Sequence, residues 1–266
     1  MIERFSYSSL ETFKKCPAKF KFYYIDKIVK PDDSIEAFMG KRVHETLEFL
    51  YQEVAKKKIP IIDTVLEKYR ELWEKSWHNR IAIFRWREFG SENYFALGEG
   101  CLARYYRLYK PFSEPVTGIE FELVFNLDDS DGYVMKGILD RVDHTGDGIW
   151  EIHDYKSGKR ALTQKQADSD LQLALYQIGL QQLENNVESV ILVWHFLQHG
   201  LEVRSTRTEN QLNSLISKTK KTIDRIRSKI DSGGEFAPKE SILCNWCYFW
   251  EECPAKSGTN PYIIQK

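Results

Sequence analysis

Apolar residues recur every three or four positions through most of the first 110 residues, a spacing typical of amphipathic helices. The sequence at 8–11 has the form of a capping box that opens the first helix, and Asp63 is suited to cap the third. Pro111 and Pro115 then interrupt the pattern, because proline lacks the N–H that a helix interior requires. The predicted helices run over about 8–24, 36–57, 63–78 and 91–110.

After Pro115 apolar and polar residues alternate, which is typical of half-buried strands. The predicted strands cover 116–127, 133–143, 149–156 and 189–197. Short turns at 128–132 and 144–148 join the first three strands into a meander. Helices at about 165–183 and 209–231 lie on either side of the fourth strand. This order of elements predicts an α+β fold with a helical N-terminal half.

The composition limits the class of protein to which this chain can belong. A chain of 266 residues, 42% of them hydrophobic, can bury a sizeable core, and no stretch has the length and apolarity of a membrane span or signal peptide. We therefore expect a soluble, cytoplasmic protein. The net charge of −1 gives no global attraction to nucleic acid, but the segments 14–30 and 218–229 are locally basic. A solvated helix face explains each segment as readily as a nucleic-acid contact.

Two carboxylates and a lysine are predicted to meet at the end of the third strand. Asp154 and Lys156 lie two residues apart and so share one strand face, and Asp140 stands 14 residues earlier, a spacing that suits hairpin pairing. An exposed ion pair is the simplest alternative. Two carboxylates, however, can hold a divalent cation with positions left open for water and phosphate, and a lysine can orient that water. The three residue types are those that phosphodiester hydrolysis requires.

The same residues resemble a known family. Asp140 followed by Asp154-Tyr155-Lys156 is similar to the D…(D/E)-x-K core of the PD-(D/E)XK nuclease superfamily, with Leu139 where the name of the family has proline. The resemblance implies that Asp140 and Asp154 bind Mg²⁺ or Mn²⁺, with the Tyr155 carbonyl as a further ligand. It also implies that Lys156 positions the attacking water.

Three further residues resemble the RecB-like branch of that superfamily. His44 in "GKRVHETLE" is similar to the metal-binding histidine of the branch, and Gln172 and Tyr176 are similar to its Q-x-x-x-Y motif. The i, i+4 spacing would turn both of these side chains towards bound DNA. The resemblance implies an exonuclease that acts on DNA with a free, single-stranded end, with a helicase or a repair or CRISPR protein as a possible partner.

The resemblance extends from residue 8 to about residue 254 and also implies a fold. It implies a restriction-endonuclease-like core, in which a mixed central sheet is flanked by helices. We expect a single nuclease domain over 1–266 with a helical insertion at about 60–110.

Four of the five cysteines lie near the ends of the chain: Cys16, Cys244, Cys247 and Cys253. Their spacing suits either a zinc ion or a 4Fe–4S cluster and does not choose between them. The layout resembles iron–sulfur nucleases of the RecB-like branch, such as the AddB nuclease domain and CRISPR-associated exonucleases. That resemblance implies a 4Fe–4S cluster that joins 244–253 to Cys16, with zinc as the alternative. The fifth cysteine, Cys101, is expected to be buried.

Two other functions fit parts of this pattern. One is a non-catalytic module that binds DNA or a repair partner, and the other is a zinc-stabilised structural protein whose acidic residues are surface charges. Glu120 and Glu122 share one strand face, where one of them could approach the metal, although a solvated side chain is the commoner outcome. His153 and His195 are expected to pack in the core.

Overall fold

Helices form most of the chain as far as Tyr109, and a sheet follows them. The computed structural model describes residues 2–30, 33–84, 90–129 and 132–264. The helices are α1 Tyr7–Lys15, α2 Pro17–Phe20, α3 Ile35–Ala55, α4 Ile62–Ser76, α5 Ser91–Tyr109, α6 Gln164–Ala167, α7 Gln172–Leu183 and α8 Glu209–Asp231. The strands are β1 Asp33–Ser34, β2 Ile81–Phe84, β3 Val116–Asn126, β4 Val134–Gly146, β5 Ile149–Lys156, β6 Ser189–Phe196, β7 Leu201–Ser205 and β8 Ile263–Ile264.

The main sheet has five strands in the order β3-β4-β5-β6-β7. Strands β3, β4 and β5 form the expected antiparallel meander, and β6 pairs parallel to β5 after the crossover through α6 and α7. Strand β7 returns antiparallel to β6. The prediction of an α+β fold with a mixed central sheet, flanking helices and a helical N-terminal half is confirmed.

Helices cover both faces of this sheet. On one face α1, α7 and α8 enclose an apolar cluster that includes Leu139, Ile152 and Trp194. On the other face α3, α4 and α5 enclose a second cluster that reaches Tyr155 and Leu197. The sheet therefore separates two cores. Asp140 of β4 and Asp154 of β5 lie between these cores, where the pairing of the two strands ends.

The start of the chain differs from the prediction. Helix α1 is capped by Ser6, whose hydroxyl accepts the Ser9 N–H at 3.2 Å, so the predicted capping box at 8–11 is wrong by two residues. The predicted helix over 8–24 is interrupted at Cys16, because Pro17 cannot continue the hydrogen-bond ladder of α1. A π-helical turn, Lys21–Ile25, then follows α2.

Two other predicted boundaries are also wrong. Helix α4 has Ile61 at its N-cap position, and Asp63 lies in the first turn, where its charge favours the helix dipole. The helix predicted over 165–183 is two helices, α6 and α7, because the chain turns between Asp168 and Leu171. The predicted turn at 128–132 includes residues 130 and 131, which lie outside the described residues.

A small second sheet was not predicted. Strand β2 pairs with β1 in parallel and with β8 in antiparallel orientation. It lies inside the segment 60–110, which is otherwise helical where it is described. Whether that segment is an insertion in a single domain stays a prediction. None of the helices in the described parts of the chain has the length and apolarity needed to cross a membrane.

Candidate active site

The hairpin of β4 and β5 brings the two predicted carboxylates together. Arg141 pairs with His153 across the hairpin, so the next residues outward, Asp140 and Asp154, stand opposite each other. The Tyr155 N–H donates a hydrogen bond of 2.6 Å to Asp140 Oδ2. The hairpin pairing that the sequence predicted is therefore confirmed.

Asp154 and Lys156 form an ion pair at the end of β5. Lys156 Nζ lies 2.7 Å from Asp154 Oδ2, and Asp154 is only 5% exposed. Burial raises the pKa of Asp154, the charge of Lys156 opposes that rise, and the negative charge of Asp140 adds to it. Burial alone would lower the pKa of Lys156, but Asp154 raises it overall, so the amine stays protonated.

Gln172 holds this ion pair from the first turn of α7. Its Nε2 donates to Asp154 Oδ1 at 3.2 Å, and its Oε1 accepts from Lys156 Nζ at 3.1 Å. Asp170 Oδ1 accepts the Gln172 N–H at 2.9 Å and so fixes where α7 begins. The sequence suggested a DNA contact for Gln172; the structure gives its amide two partners within the site.

Tyr176 lies one turn further along α7 and packs against β4. Its side chain is 9% exposed, and a Cβ at Gly137 would come within 2.3 Å of its ring. Only glycine allows the ring to lie this close to the strand. Contact between Tyr176 and DNA stays a prediction.

His44 enters the site from the middle of α3. Its Nδ1 lies 3.3 Å from Asp140 Oδ1, and its Nε2 donates to the Tyr155 carbonyl at 2.8 Å. Burial disfavours the charged ring, but the carboxylate of Asp140 raises the pKa of His44 to about 9. In turn, although burial opposes it, the charged ring lowers the pKa of Asp140.

Glu120 is the strand glutamate that lies beside the site. Ligand atoms of Glu120, His44 and Asp140 all lie within 4.8 Å of one another, and the Glu120 side chain is half-buried, so of the two alternatives for this pair of glutamates the structure favours an approach to the site by Glu120. Burial and then the charge of Asp140 raise the pKa of Glu120. The β3–β4 register places Glu120 opposite Asp140. That register was a signal in the sequence, since the predicted turn at 128–132 is centred midway between the two residues.

The backbone at Glu120 is unusual and explains how the carboxylates reach the cleft. Its φ is +46°, a left-handed conformation that costs a non-glycine residue about 1–3 kcal/mol. Ile119 packs on the cluster under α3, whereas Phe121 packs on the cluster under α7, although residues two apart normally share a face. Strand β3 therefore changes faces at Glu120, beside Asp140.

A buried polar network supports the site from behind. Arg141 is 1% exposed; its Nε lies 3.0 Å from Asp143 Oδ1, and its Nη1 donates to the Tyr105 hydroxyl at 2.8 Å. His153 Nδ1 and His195 Nε2 are 2.9 Å apart, and both rings are buried. The expectation that the two histidines lie in the core is confirmed.

Three members of this network also lie within 4.8 Å of one another, namely Asp143, Glu151 and His153. Arginines already neutralise the two carboxylates, since Arg141 pairs with Asp143 and Arg204 Nη1 lies 2.8 Å from Glu151. Two fixed cations disfavour a metal ion at this second group.

The donor set of the first site suits a hard divalent cation. His44, Glu120 and Asp140 line one cleft with ligand atoms within 4.8 Å of one another, and the Tyr155 carbonyl contacts His44. Asp154 lies outside that group, opposite Asp140 on the hairpin, where Lys156 and Gln172 hold it. Carboxylate and carbonyl oxygens are the ligands that Mg²⁺ and Mn²⁺ prefer. Asp154 Oδ2 is buried and lies 2.7 Å from Lys156 Nζ, so the carboxylate that would bind the ion is already paired with the amine of the site.

The four terminal cysteines line one pocket between the end of α1 and the C-terminal segment: Cys16, Cys244, Cys247 and Cys253. The Lys239 N–H donates to Cys16 Sγ at 3.5 Å, and the Ser241 N–H donates to Cys244 Sγ at 3.4 Å. Cys101 is buried away from this pocket, as expected, and burial raises the pKa of its thiol to about 11.

The cysteine sulfurs are not gathered around a single point. Among the described residues, no three of them lie within 4.8 Å of one another. Tetrahedral zinc at about 2.3 Å from each thiolate would require sulfurs about 3.8 Å apart. A 4Fe–4S cluster binds each cysteine to a different iron, so its sulfurs stand further apart.

Known proteins similar to this chain indicate one family and one fold. A family model of the PD-(D/E)XK nuclease superfamily matches residues 4–254, and no curated protein matches the sequence. A crystal structure of a protein from Eubacterium rectale, named "putative exonuclease", has a TM-score of 0.55 and 15% identity over 92% of this chain and 87% of that chain. The structure of the protein SSO0001 has a TM-score of 0.38 and 16% identity over 91% of this chain and 96% of that chain. At 15% identity the first structure supports the fold alone. The TM-score of the second structure is too low to support even the fold.

Proposed function

Because this chain belongs to the PD-(D/E)XK nuclease superfamily, we propose that it is a metal-dependent DNA nuclease that hydrolyses phosphodiester bonds. The observation that carries the proposal is the convergence of Asp140, Asp154 and Lys156 at one end of a hairpin, with His44 brought to them by α3. A module that only binds DNA needs no buried carboxylate held beside a protonated lysine and a second carboxylate.

Asp140 and Asp154 would hold Mg²⁺ or Mn²⁺, together with His44 and the Tyr155 carbonyl. The bound ion would polarise the phosphate and acidify a coordinated water. His44 must lose a proton to serve as a ligand, since only the neutral ring has a lone pair to offer. Glu120 is placed to bind the same ion or to accept a hydrogen bond from its water.

Lys156 has a separate role in this scheme. Its raised pKa keeps the amine protonated, so it orients the attacking water and offsets charge that develops on the phosphate rather than acting as a base. Gln172 limits the movement of the amine through its hydrogen bond. The carboxylate of Asp154 or Glu120 would accept the proton of the water.

We propose further that the enzyme is of the RecB-like kind and acts on DNA ends as an exonuclease. The support is His44 on the helix that covers the site, in addition to the sequence resemblance. A requirement for an end is tested directly by comparing linear DNA with covalently closed duplex and single-stranded circles of the same sequence. Equal cleavage of linear and circular substrates would contradict the exonuclease proposal and leave the nuclease proposal intact.

The four terminal cysteines are proposed to hold a 4Fe–4S cluster, with zinc as the alternative. They line one pocket, and lysines at 19, 239 and 256 line it with them. Cationic side chains would offset the negative charge of four thiolates.

The test of the proposed function uses labelled single-stranded and duplex DNA, with Mn²⁺ or EDTA. Asp154→Ala removes a metal ligand, so cleavage should fall by at least about 100-fold, which corresponds to about 2.7 kcal/mol of transition-state stabilisation. Asp147→Asn is the matched control, because Asp147 lies in the exposed β4–β5 turn with φ +47°, which asparagine tolerates. DNA binding without cleavage by the wild-type protein would instead support the non-catalytic module.

A further inference from the structure

Three cations of α8 share one exposed face. Lys218, Lys221 and Arg225 follow one another at helical spacings of three and four residues, and all three side chains are exposed. In the parts of the chain that the structure describes, none of the three has an ion-pair partner. This face is part of the basic segment 218–229, and none of the site residues described above belongs to that segment.

Other basic residues of the same helix are engaged elsewhere. Lys220 pairs with Asp128 and lies over the Tyr133 ring, and Arg227 also lies over Tyr133. Lys229 donates to a backbone carbonyl. The cations without a partner among the described residues are therefore confined to one side of α8.

That side of α8 borders a groove whose floor is apolar. Leu10 of α1, Leu175 of α7 and Leu215 of α8 form the floor, and Lys14 of α1 stands on the opposite rim. Lys14 is paired with Glu11 at 3.0 Å, so its charge is partly balanced. The groove is thus a concave surface with an excess of positive charge on its α8 side, in a chain whose net charge is only −1.

The groove leads towards the catalytic carboxylates. Tyr7 lines it, and the pKa of Tyr7 is raised by burial and then by the charges of Asp170, Glu11 and Asp154. The hydroxyl therefore lies within electrostatic reach of the site. Leu171 lines the groove as well and immediately precedes Gln172, whose amide contacts Asp154.

We propose that this groove binds the phosphate backbone of the DNA strand that continues beyond the cleaved bond, a proposal that rests on the proposed nuclease function. The cationic face from Lys218 to Arg225 spans about 10 Å of helix. Each of the three cations can contact one phosphate of a strand that lies along this face. Apolar side chains on the floor accommodate sugars and bases without sequence preference.

The experiment measures the affinity of labelled single-stranded DNA at several NaCl concentrations, in EDTA so that nothing is cleaved. The variant is the triple substitution Lys218→Gln/Lys221→Gln/Arg225→Gln. The matched control, Lys56→Gln/Lys57→Gln/Lys58→Gln, removes the same charge from the exposed end of α3, about 16 Å along that helix from His44. Thermal unfolding of both variants confirms that they are folded.

Loss of three phosphate contacts should lower the slope of log K against log salt by about 2, at about 0.7 for each contact with a single strand. Between 50 and 200 mM salt the wild-type affinity should therefore fall about 20-fold more than that of the groove variant. The control should retain the wild-type slope. Equal slopes for the wild type and the groove variant would overturn the proposal.

Measurements of DNA cleavage distinguish a failure of the groove proposal from a failure of the proposed nuclease function. The groove variant should keep the wild-type kcat, because its residues lie outside the catalytic group, and should show a raised KM on long single strands. A wild-type protein that binds DNA with the expected slope difference but never cleaves it would refute the nuclease function and leave the groove supported. Normal cleavage with unchanged salt dependence would refute the groove alone.

Discussion

His44 carries a proton at neutral pH in the metal-free protein, because its Nδ1 lies 3.3 Å from Asp140 and its pKa is about 9. A cation that uses His44 as a ligand has to displace that proton. Below pH 9 proton and metal therefore compete, and the apparent metal affinity should rise with pH by up to about tenfold per pH unit.

Calorimetric titration with Mn²⁺ at pH 7.5, in buffers of different ionisation enthalpy, counts the protons that metal binding releases. The wild-type protein should release about one proton more per metal than His44→Ala, since that variant has no ring to deprotonate. His44→Ala should also need more metal for half-maximal cleavage. Equal proton release by the two proteins would show that His44 is not a ligand.

Glu120 provides a prediction about strain. In metal-free protein Glu120→Gly should be more stable than Glu120→Gln by about 1 kcal/mol, because both remove the charge but only glycine relieves the left-handed backbone. Both variants should bind Mn²⁺ more weakly than the wild type. Urea unfolding in EDTA measures the stability difference. A glycine variant less stable than the glutamine variant would mean that the backbone at this position is not strained.

At the scale of single elements, helix α7 shows how one contact between a helix and a strand supports the site. Tyr176 packs directly on Gly137, and Gln172 one turn earlier holds Asp154. Gly137→Ala would place a methyl group 2.3 Å from the ring, so Tyr176 and the start of α7 must move. We expect a loss of about 1–3 kcal/mol in the free energy of unfolding and a lower kcat.

Gly100→Ala is the control for that substitution. Gly100 lies in α5, and an added Cβ there would meet no atom within 4 Å. Alanine is the better helix former, so this variant should be slightly stabilised and fully active. If Gly137→Ala behaved like the control in denaturation and cleavage assays, the contact between Tyr176 and β4 would have no part in positioning the site.

The parts of the fold that were predicted correctly depend on short-range pattern. Alternation and short turns specify the β3–β4–β5 meander, and the register of its second hairpin places Asp140 opposite Asp154. The interruption between α6 and α7 was missed because Asp170 caps the backbone locally inside an otherwise helical pattern. The sequence could not choose between Glu120 and Glu122 as the glutamate beside the site, because a change of strand face at one residue leaves no trace in hydrophobic periodicity.

At the scale of the whole molecule, the two ends of the chain meet beside α1. Cys16 follows the last residue of α1, and the same helix contributes Leu10 to the groove and Tyr7 to the neighbourhood of Asp154. A group that fastened the C-terminal segment to Cys16 would therefore restrain a helix that reaches both the groove and the site. Sequence spacing alone could not show this, because Cys16 is separated from the other three cysteines of the pocket by more than two hundred residues.

The proposed cluster predicts four irons in anaerobically purified protein, with broad absorption in the visible range. Cys16→Ser should bleach the colour and release the C-terminal segment, so that limited proteolysis cuts after about residue 237 faster than in the wild type. Cys101→Ser should keep both the colour and the proteolytic pattern, because Cys101 is buried in the core under α5, away from the pocket. Stoichiometric zinc without iron after anaerobic purification would decide for the zinc alternative, in which case Cys16→Ser should still speed proteolysis but no variant should change colour.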